Sequence, residues 1–316
     1  MADAVRTILQ IVPELETGGA ELSAIEISQA VKIAGGRSLV LAEGGRLVPR
    51  LQAAGGEFVA FPAATKNPAK IIRNAGRIAE IARRENVQLI HARSRAPAWS
   101  ALIAARRLKL PFVTTYHGAY KENSALKNWY NSVMARSDVV IANSRYTADL
   151  VKQRYGTPEA KMRVIYRGVD LERFDRAKVD PERCAKLRAA WGIGAGTPIV
   201  FNAARLTAWK GQSDLVALAA RMHAINPEVV FILAGDDQGR SDYREKLTQQ
   251  IRTLGLETVV RLVGHVDDVA AALATARAAF VASIEPEAFG RAAAEAQAMG
   301  CPVISTNIGA PPETAS

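Results

Sequence analysis

Cysteine is nearly missing: Cys184 and Cys301 are the only two in 316 residues. Two thiols cannot build a disulfide framework, and neither has metal-ligand spacing, so a reducing cytoplasm is the expected compartment. No run of 18 or more residues is wholly apolar, so no transmembrane helix is expected. The opening "MADAVRTILQIVPEL" lacks a basic leader and a small-residue cleavage site. It reads as a first strand rather than a signal peptide. Repeats of short fixed period and low-complexity tracts are absent as well.

What is present belongs to a soluble globular chain: 49% hydrophobic and 23% charged residues. The length suits two domains. The net charge of +10 is unevenly placed. Residues 1–175 hold 26 Lys and Arg against 16 Asp and Glu, and the remainder holds 15 of each. A basic half suggests an acidic partner such as a membrane surface, an anionic lipid or a nucleic acid, although charge kept for solubility looks the same.

Strand-like runs alternate with helical ones throughout. The first half carries "TILQIVP", "SLVLAE", "EFVAFP", "QLIHAR", "FVTTYH", "DVVIAN" and "RVIYRG", with helices over 20–34, 68–85, 97–109 and 145–155. The second half carries "PIVFNAA", "VVFILAGD", "VVRLVGH", "AAFVAS" and "PVIST". This alternation predicts an α/β chain of two Rossmann-like, doubly wound domains, 1–175 and 176–316, joined within the charged stretch 172–182. Ligands of such sheets bind at the carboxyl ends of the strands, so the site is expected in a cleft between two facing sets of strand ends.

Several segments stand at those ends. "ETGGAELSAIEI" follows the first strand, and its Gly18 and Gly19 would let backbone N–H groups approach an anion. It is not the Gly-x-Gly-x-x-Gly fingerprint, and a plain tight turn would look alike. His117 in "TTYHGAY" and His91 in "LIHARSRAPAW" each close a strand; each could hold a hydroxyl or simply satisfy the fold. "FNAARLTAWKG" sets Arg205 and Lys210 five residues apart, a spacing able to clamp a diphosphate or to form a solvated loop. Asp236 ends "FILAGD". His265 and Val266 in "GHVDD" precede a helix that Asp267 is expected to cap.

In "EAFGRAAAE", Glu287 and Glu295 lie eight residues apart across a loop-to-helix turn at Phe289–Gly290. The helix start offers donors to phosphate oxygens. A carboxylate inside the helix can accept from ribose hydroxyls, and one in the loop from a sugar joined to that phosphate. Helix-dipole complementarity and a surface position are the plainer alternatives. Ala292, Ala293, Ala294 and Ala296 are small enough for close helix approach.

The segment "EPEAFGRAAAEAQAMGCPVISTNIGAPPE" resembles the signature of glycosyltransferase family 4, retaining transferases of GT-B fold. "TGGAE", "YHG", "IANSRYTADL", "VIYRGVDLERF", "ARLTAWKG" and "LAGD" resemble family segments in the expected order. "HARSRAPAWSAL" and "ANSRYTADL" are most similar to bacterial members that build lipopolysaccharide and related envelope glycans. The resemblance implies transfer of a hexose from a nucleoside-diphosphate sugar to a glycan or glycolipid acceptor, with no nucleic acid as partner. It implies that Glu287 holds donor-sugar hydroxyls, Glu295 the ribose, and Arg205 and Lys210 the diphosphate. Gly18 and Gly19 would face the phosphate or the acceptor, and His117 the sugar near its reacting carbon. Asp236, His265, Val266, Phe289 and Gly290 join the nucleotide-sugar set. No cofactor is implied and, without an Asp-x-Asp motif, no metal.

The chain stops at Ser316 where family members continue, so the resemblance implies a truncated second domain. Helix 68–85 sets Lys70, Arg73, Arg77 and Arg84 on one face, with Ile71, Ile78 and Ile81 turned away. With Arg106 and Arg107 this face could meet an anionic membrane or a phosphorylated acceptor, placing the protein on the inner face of the cytoplasmic membrane. A nucleotide-sugar 2-epimerase, or a nucleotide-sugar binder without turnover, are the rival readings.

Overall fold

A computed structural model describes residues 6–16, 18–118, 124–239 and 241–315. The chain divides into two units, Met1–Arg167 and Gly168–Ser316. The division falls ahead of the expected 175/176 because Val169 and Phe174 already pack into the core of the second unit.

The first unit runs β1 (Thr7–Ile11), α1 (Gly19–Ile33), β2 (Arg37–Ala42), α2 (Val48–Ala53), β3 (Gly56–Ala60), α3 (Pro68–Arg84), β4 (Val87–Ala92), α4 (Arg95–Leu108), β5 (Phe112–Tyr116), α5 (Ala125–Asn131), β6 (Val139–Ala142), α6 (Arg145–Tyr155) and β7 (Met162–Val164). Its seven strands pair in parallel in the order β3-β2-β1-β4-β5-β6-β7. Apolar runs bury the sheet on both faces, as parallel strands require. Leu9, Ile11, Ile90, Phe112 and Val140 form part of one core, and Val12, Leu15, Ile25, Val40 and Leu51 of another.

One polar residue interrupts β1. Gln10 is fully buried, and the two N–H groups of its Nε2 are shared among Ala24 O at 3.1 Å, Ser28 Oγ at 3.0 Å and Ser38 Oγ at 2.9 Å. A buried polar network is stable only when satisfied, so these bonds fix α1 in one register against β1 and β2. The start of α1 is thereby fixed too. On α3, Ile71, Ala75, Ile78, Ala79 and Ala82 are buried, while Lys70, Arg73, Arg77 and Arg84 are exposed.

The second unit runs α7 (Pro181–Ala190), β8 (Ile199–Ala203), α8 (Gln212–Ile225), β9 (Val230–Ala234), α9 (Ser241–Thr253), β10 (Val260–Gly264), α10 (Val269–Thr275), β11 (Ala278–Val281), α11 (Arg291–Ala298), β12 (Val303–Ser305) and α12 (Pro311–Thr314). Its five strands are parallel in the order β10-β9-β8-β11-β12. In both sheets the winding reverses at an interior pair, β1/β4 in the first and β8/β11 in the second. Crevices open at such reversals, outside the carboxyl ends of the strands. Among the described residues, no helix is long and apolar enough to cross a membrane. No group of three or more His, Cys, Asp or Glu is placed there to hold a metal ion.

Candidate active site

The loop after β8 crosses the reversal point of the second sheet. It is held by main-chain bonds: Ala204 N donates to Ala234 O at 2.9 Å and Leu206 N to Asp236 O at 3.1 Å. Gln212, buried at the start of α8, donates from Nε2 to Arg205 O at 2.9 Å. Two glycines permit this packing. A Cβ at Gly235 would lie 1.8 Å from Ala204 O, and one at Gly211, whose φ is +69°, would lie 1.9 Å from Ala282 O. No side chain fits at either distance.

This loop delivers Lys210 to the end of β11. Its Nζ lies 2.6 Å from Glu287 Oε1, with the side chains 16% and 11% exposed. The ammonium also sits 4.2 Å from the centre of the Trp209 ring, within cation–π range. Ser283 Oγ donates to the same carboxylate oxygen. The main chain of Glu287 bridges Gly309, where a Cβ would approach Glu287 N and O to 2.6 Å, and Ala310 N donates to Glu287 O at 2.9 Å. A cation and an anion that the sequence keeps far apart are therefore joined at one point.

The other predicted residues surround that pair less closely. Arg205 is exposed, with Nη1 3.5 Å from Gln238 Oε1. Asp236 Oδ1 accepts from Gln238 N at 2.8 Å and shapes the turn after β9. Phe289 is buried, and Gly290, at φ +85°, precedes α11. Ala293 and Ala296 are fully buried, which seats that helix, and Glu295 is half-buried on it. His265 is exposed, with Nε2 3.1 Å from Asp267 Oδ1, and with half-buried Val266 it borders a cavity of about 730 Å³ beside Trp191. The cap of α10 is a correction: Asp268, not Asp267, accepts from Ala271 N at 3.1 Å. Arg183 grips the Asp268 carboxylate through two bonds, at 2.7 and 2.8 Å, while Asp267 points into solvent.

In the first unit Gly18 adopts φ +154° ahead of α1, and Gly19 is exposed. Arg167, just past β7, donates from Nη1 to Gly19 O and from Nη2 to His117 Nδ1. An acceptor role at Nδ1 places the His117 proton on Nε2. His91 is buried in β4, 2.8 Å from Thr115 Oγ1, and burial holds its pKa well below the usual imidazole range. It belongs to the sheet core rather than to a crevice. Two cations escaped the sequence reading, Arg93 and Arg167. Arg93 follows β4 and is 2% exposed; burial above all, and then Arg167, pull its pKa down to about 9. Its signal was its place two residues after His91, just past the end of β4, but nothing in composition marks an arginine as buried.

Residues 17–173 match the family described as Glycosyltransferase Family 4, and residues 185–316 match Glycosyl transferases group 1. A glycosyltransferase structure from Rickettsia africae superposes with a TM-score of 0.86 at 35% identity, covering 96% of this chain and 80% of that one. Anabaena HepE, in complex with UDP and glucose, gives 0.85 at 28% identity, covering 98% and 82%. The D-inositol 3-phosphate glycosyltransferase of Nocardiopsis dassonvillei is 27% identical across 71% of this chain and 56% of its own length. The chain spans little more than half the length of the curated relatives it matches.

Proposed function

Because the chain belongs to glycosyltransferase family 4 and has the two doubly wound parallel sheets of the GT-B class, we propose that it is a retaining hexosyltransferase using a nucleoside-diphosphate sugar. The carrying observation is the Lys210–Glu287 contact at the reversal point of the second sheet. A donor sugar presents an anionic diphosphate and neutral hydroxyls side by side, and this pair offers a partner to each.

In the proposed reaction the bond from the sugar's anomeric carbon to the diphosphate oxygen breaks, negative charge grows on the leaving group, and an acceptor hydroxyl oxygen bonds that carbon from the same face while its proton passes to the departing diphosphate. Lys210 supplies a point charge and Arg205 a forked donor to that charge. These two cations do the work a metal would otherwise do, so transfer is metal-independent. Glu287, freed from Lys210, accepts from the sugar hydroxyls. Glu295 accepts from the ribose, and the N–H groups that open α11 at Phe289–Gly290 meet phosphate oxygens. Asp236, His265 and Val266 flank the base. HepE's complex with UDP and glucose favours UDP as carrier.

The acceptor is a glycolipid or lipopolysaccharide-type glycan taken by the first unit, with Gly18 and Gly19 at its reacting end. The exposed cations of α3 hold that unit to an anionic membrane surface. The test is a thermal-shift panel of UDP, GDP, ADP and CDP, each with EDTA and with magnesium. Ligand at a hundred times its dissociation constant stabilises by about 2.7 kcal/mol. A UDP shift that survives EDTA, followed by sugar transfer to a lipid-linked acceptor, is the expected result. No shift with any of the four would overturn the reading.

A further inference from the structure

The second sheet has an open edge that the proposed donor chemistry does not use. β10 stands first in the order β10-β9-β8-β11-β12, so one of its sides has no neighbouring strand. Phe231 N of β9 donates to Val259 O at 2.8 Å. Alternate residues of a parallel strand serve one neighbour, so Val260 and Leu262 turn their main-chain groups outward. The Val260 N–H is taken by Leu256 O at 2.8 Å, while the N–H and C=O of Leu262 have no strand to meet. Sheets blunt such edges with lysine, proline, outward charge or a covering element. β10 carries no lysine or proline, and its one charge is folded back, with Arg261 Nη1 donating to Glu257 O. A helix does run beside the edge, but it stands off. A cavity of about 730 Å³ has α7 and Trp191 on one side and Val260–Val263 of β10 on the other.

The far wall is fixed from behind. Arg183 grips Asp268, Arg188 Nη1 donates to Thr275 Oγ1 at 2.9 Å, and Cys184 Sγ donates to Ala271 O at 3.6 Å. All three acceptors belong to α10 or its cap. Trp191 stacks on Phe201 with ring centres 6.1 Å apart. The cavity is therefore a groove between two rigid elements. Its two acids, Asp267 and Asp268, are already engaged by His265 and Arg183. Its other cations are not: exposed Lys186 and half-buried Arg261 are in no ion pair among the described residues, and Arg261 Nε is buried without a partner. Arg205, Lys210, Asp236, Glu287 and Glu295 lie outside this lining, and only His265 and Val266 border both sites.

We propose that the groove between α7 and β10 docks an extended peptide of another protein, which joins the five-stranded sheet along β10 and carries acidic side chains among apolar ones. Main-chain bonds to Leu262 supply affinity, and the groove's side chains supply selectivity. Carboxylates meet Lys186 and Arg261, and apolar side chains cover Trp191 and Leu187. At the rise of a strand, β10 offers about 16 Å of edge, enough for a peptide of about five to seven residues. The groove does not depend on the donor reading.

The experiment is fluorescence polarisation of the full chain with a fluorescein-labelled, end-blocked peptide of about seven alternating valines and glutamates. Two control peptides accompany it, one with lysine for glutamate and one N-methylated throughout, which cannot donate to a strand edge. Saturable binding of the glutamate peptide is expected, persisting with saturating UDP, and at least tenfold weaker for both controls. Ala190→Trp, filling the groove from an exposed position on α7, should weaken binding at least tenfold. Lys186→Glu should do the same and narrow the preference for glutamate over lysine. Thermal melting at the parent's Tm shows that both variants fold. No saturable binding, or equal binding by the N-methylated control or by Ala190→Trp, would overturn the proposal. Displacement by UDP would assign the groove to the donor's base and overturn it too. So would a concentration-dependent dimer of the chain alone that Ala190→Trp abolishes, since a second copy would then be the occupant.

Discussion

Replacing Glu287 by glutamine should make the protein less stable yet tighten its grip on UDP. Lys210 and Glu287 lie 2.6 Å apart at 16% and 11% exposure, so both have given up most of their water. Breaking a fully buried pair costs about 3–5 kcal/mol, and an exposed pair contributes about 0–1 kcal/mol. A pair that keeps some hydration falls between, at about 2 kcal/mol for Glu287→Gln. At the size of the second unit this lowers Tm by roughly 4–8 °C. Nucleotide binding should move the other way. In the parent, Lys210 must leave a carboxylate to meet a diphosphate; in Glu287→Gln it leaves only a neutral amide. A relief of about 1.4 kcal/mol makes UDP about tenfold tighter. Lys210→Met loses a charged hydrogen bond of about 1.5–3 kcal/mol, so UDP binds roughly ten- to a hundredfold more weakly. Both variants lose turnover. Thermal melting and calorimetric titration of the two single variants and the double variant form a cycle, with an expected coupling of about 1–2 kcal/mol in stability. Weaker UDP binding by Glu287→Gln, or additive stability losses, would refute the assignment of Lys210 to the diphosphate.

His91 gives a pH signature. Its folded pKa is depressed, so its contribution is fully present above the unfolded value near 6.5 and is lost as pH falls below it, at about 1.4 kcal/mol per pH unit. Urea unfolding of His91→Gln between pH 7.5 and 5 should show a slope shallower than the parent's by one proton. Gly235→Ala and Gly211→Ala force a Cβ onto the carbonyl oxygens of Ala204 and Ala282, and should each cost about 2–3 kcal/mol in denaturant unfolding. On α3, Lys70→Glu with Arg73→Glu should cut sedimentation with anionic vesicles at least tenfold at low salt, since each basic residue near such a surface contributes about 1 kcal/mol. Unchanged sedimentation would detach this helix from membrane binding.

The strands were legible because a parallel sheet buried on both faces demands continuous apolar runs, and "FVTTY" and "VFILA" have few other uses. The ends of elements were less so. Asp267 and Asp268 are adjacent acids with equal cap propensity, and the choice was made by Arg183, 85 residues from Asp268. Phe174 looked like part of a charged joint until its core came into view. The Gln10 network had the same character: its partners Ser28 and Ser38 lie 18 and 28 residues away, so "TILQI" alone carries no sign of them. Loop glycines were visible as glycines, but the carbonyls that forbid a side chain at Gly211 and Gly235 belong to Ala282 and Ala204, just past the ends of β11 and β8.

Charge separates the two reversal points. The second sheet places one cation against one anion, Lys210 with Glu287. The first places two guanidiniums, Arg93 and Arg167, around one helix start. The same contrast holds for whole units: residues 1–167 hold 25 Lys and Arg against 13 Asp and Glu, and residues 168–316 hold 16 against 18. An electrically balanced pair suits a ligand that presents phosphate and hydroxyl together. Binding of anionic vesicles by the first unit should therefore weaken steeply as salt rises, because the whole unit carries a long-range positive field that salt screens. UDP held near Lys210 should lose much less over the same salt range, since its unit adds no such field.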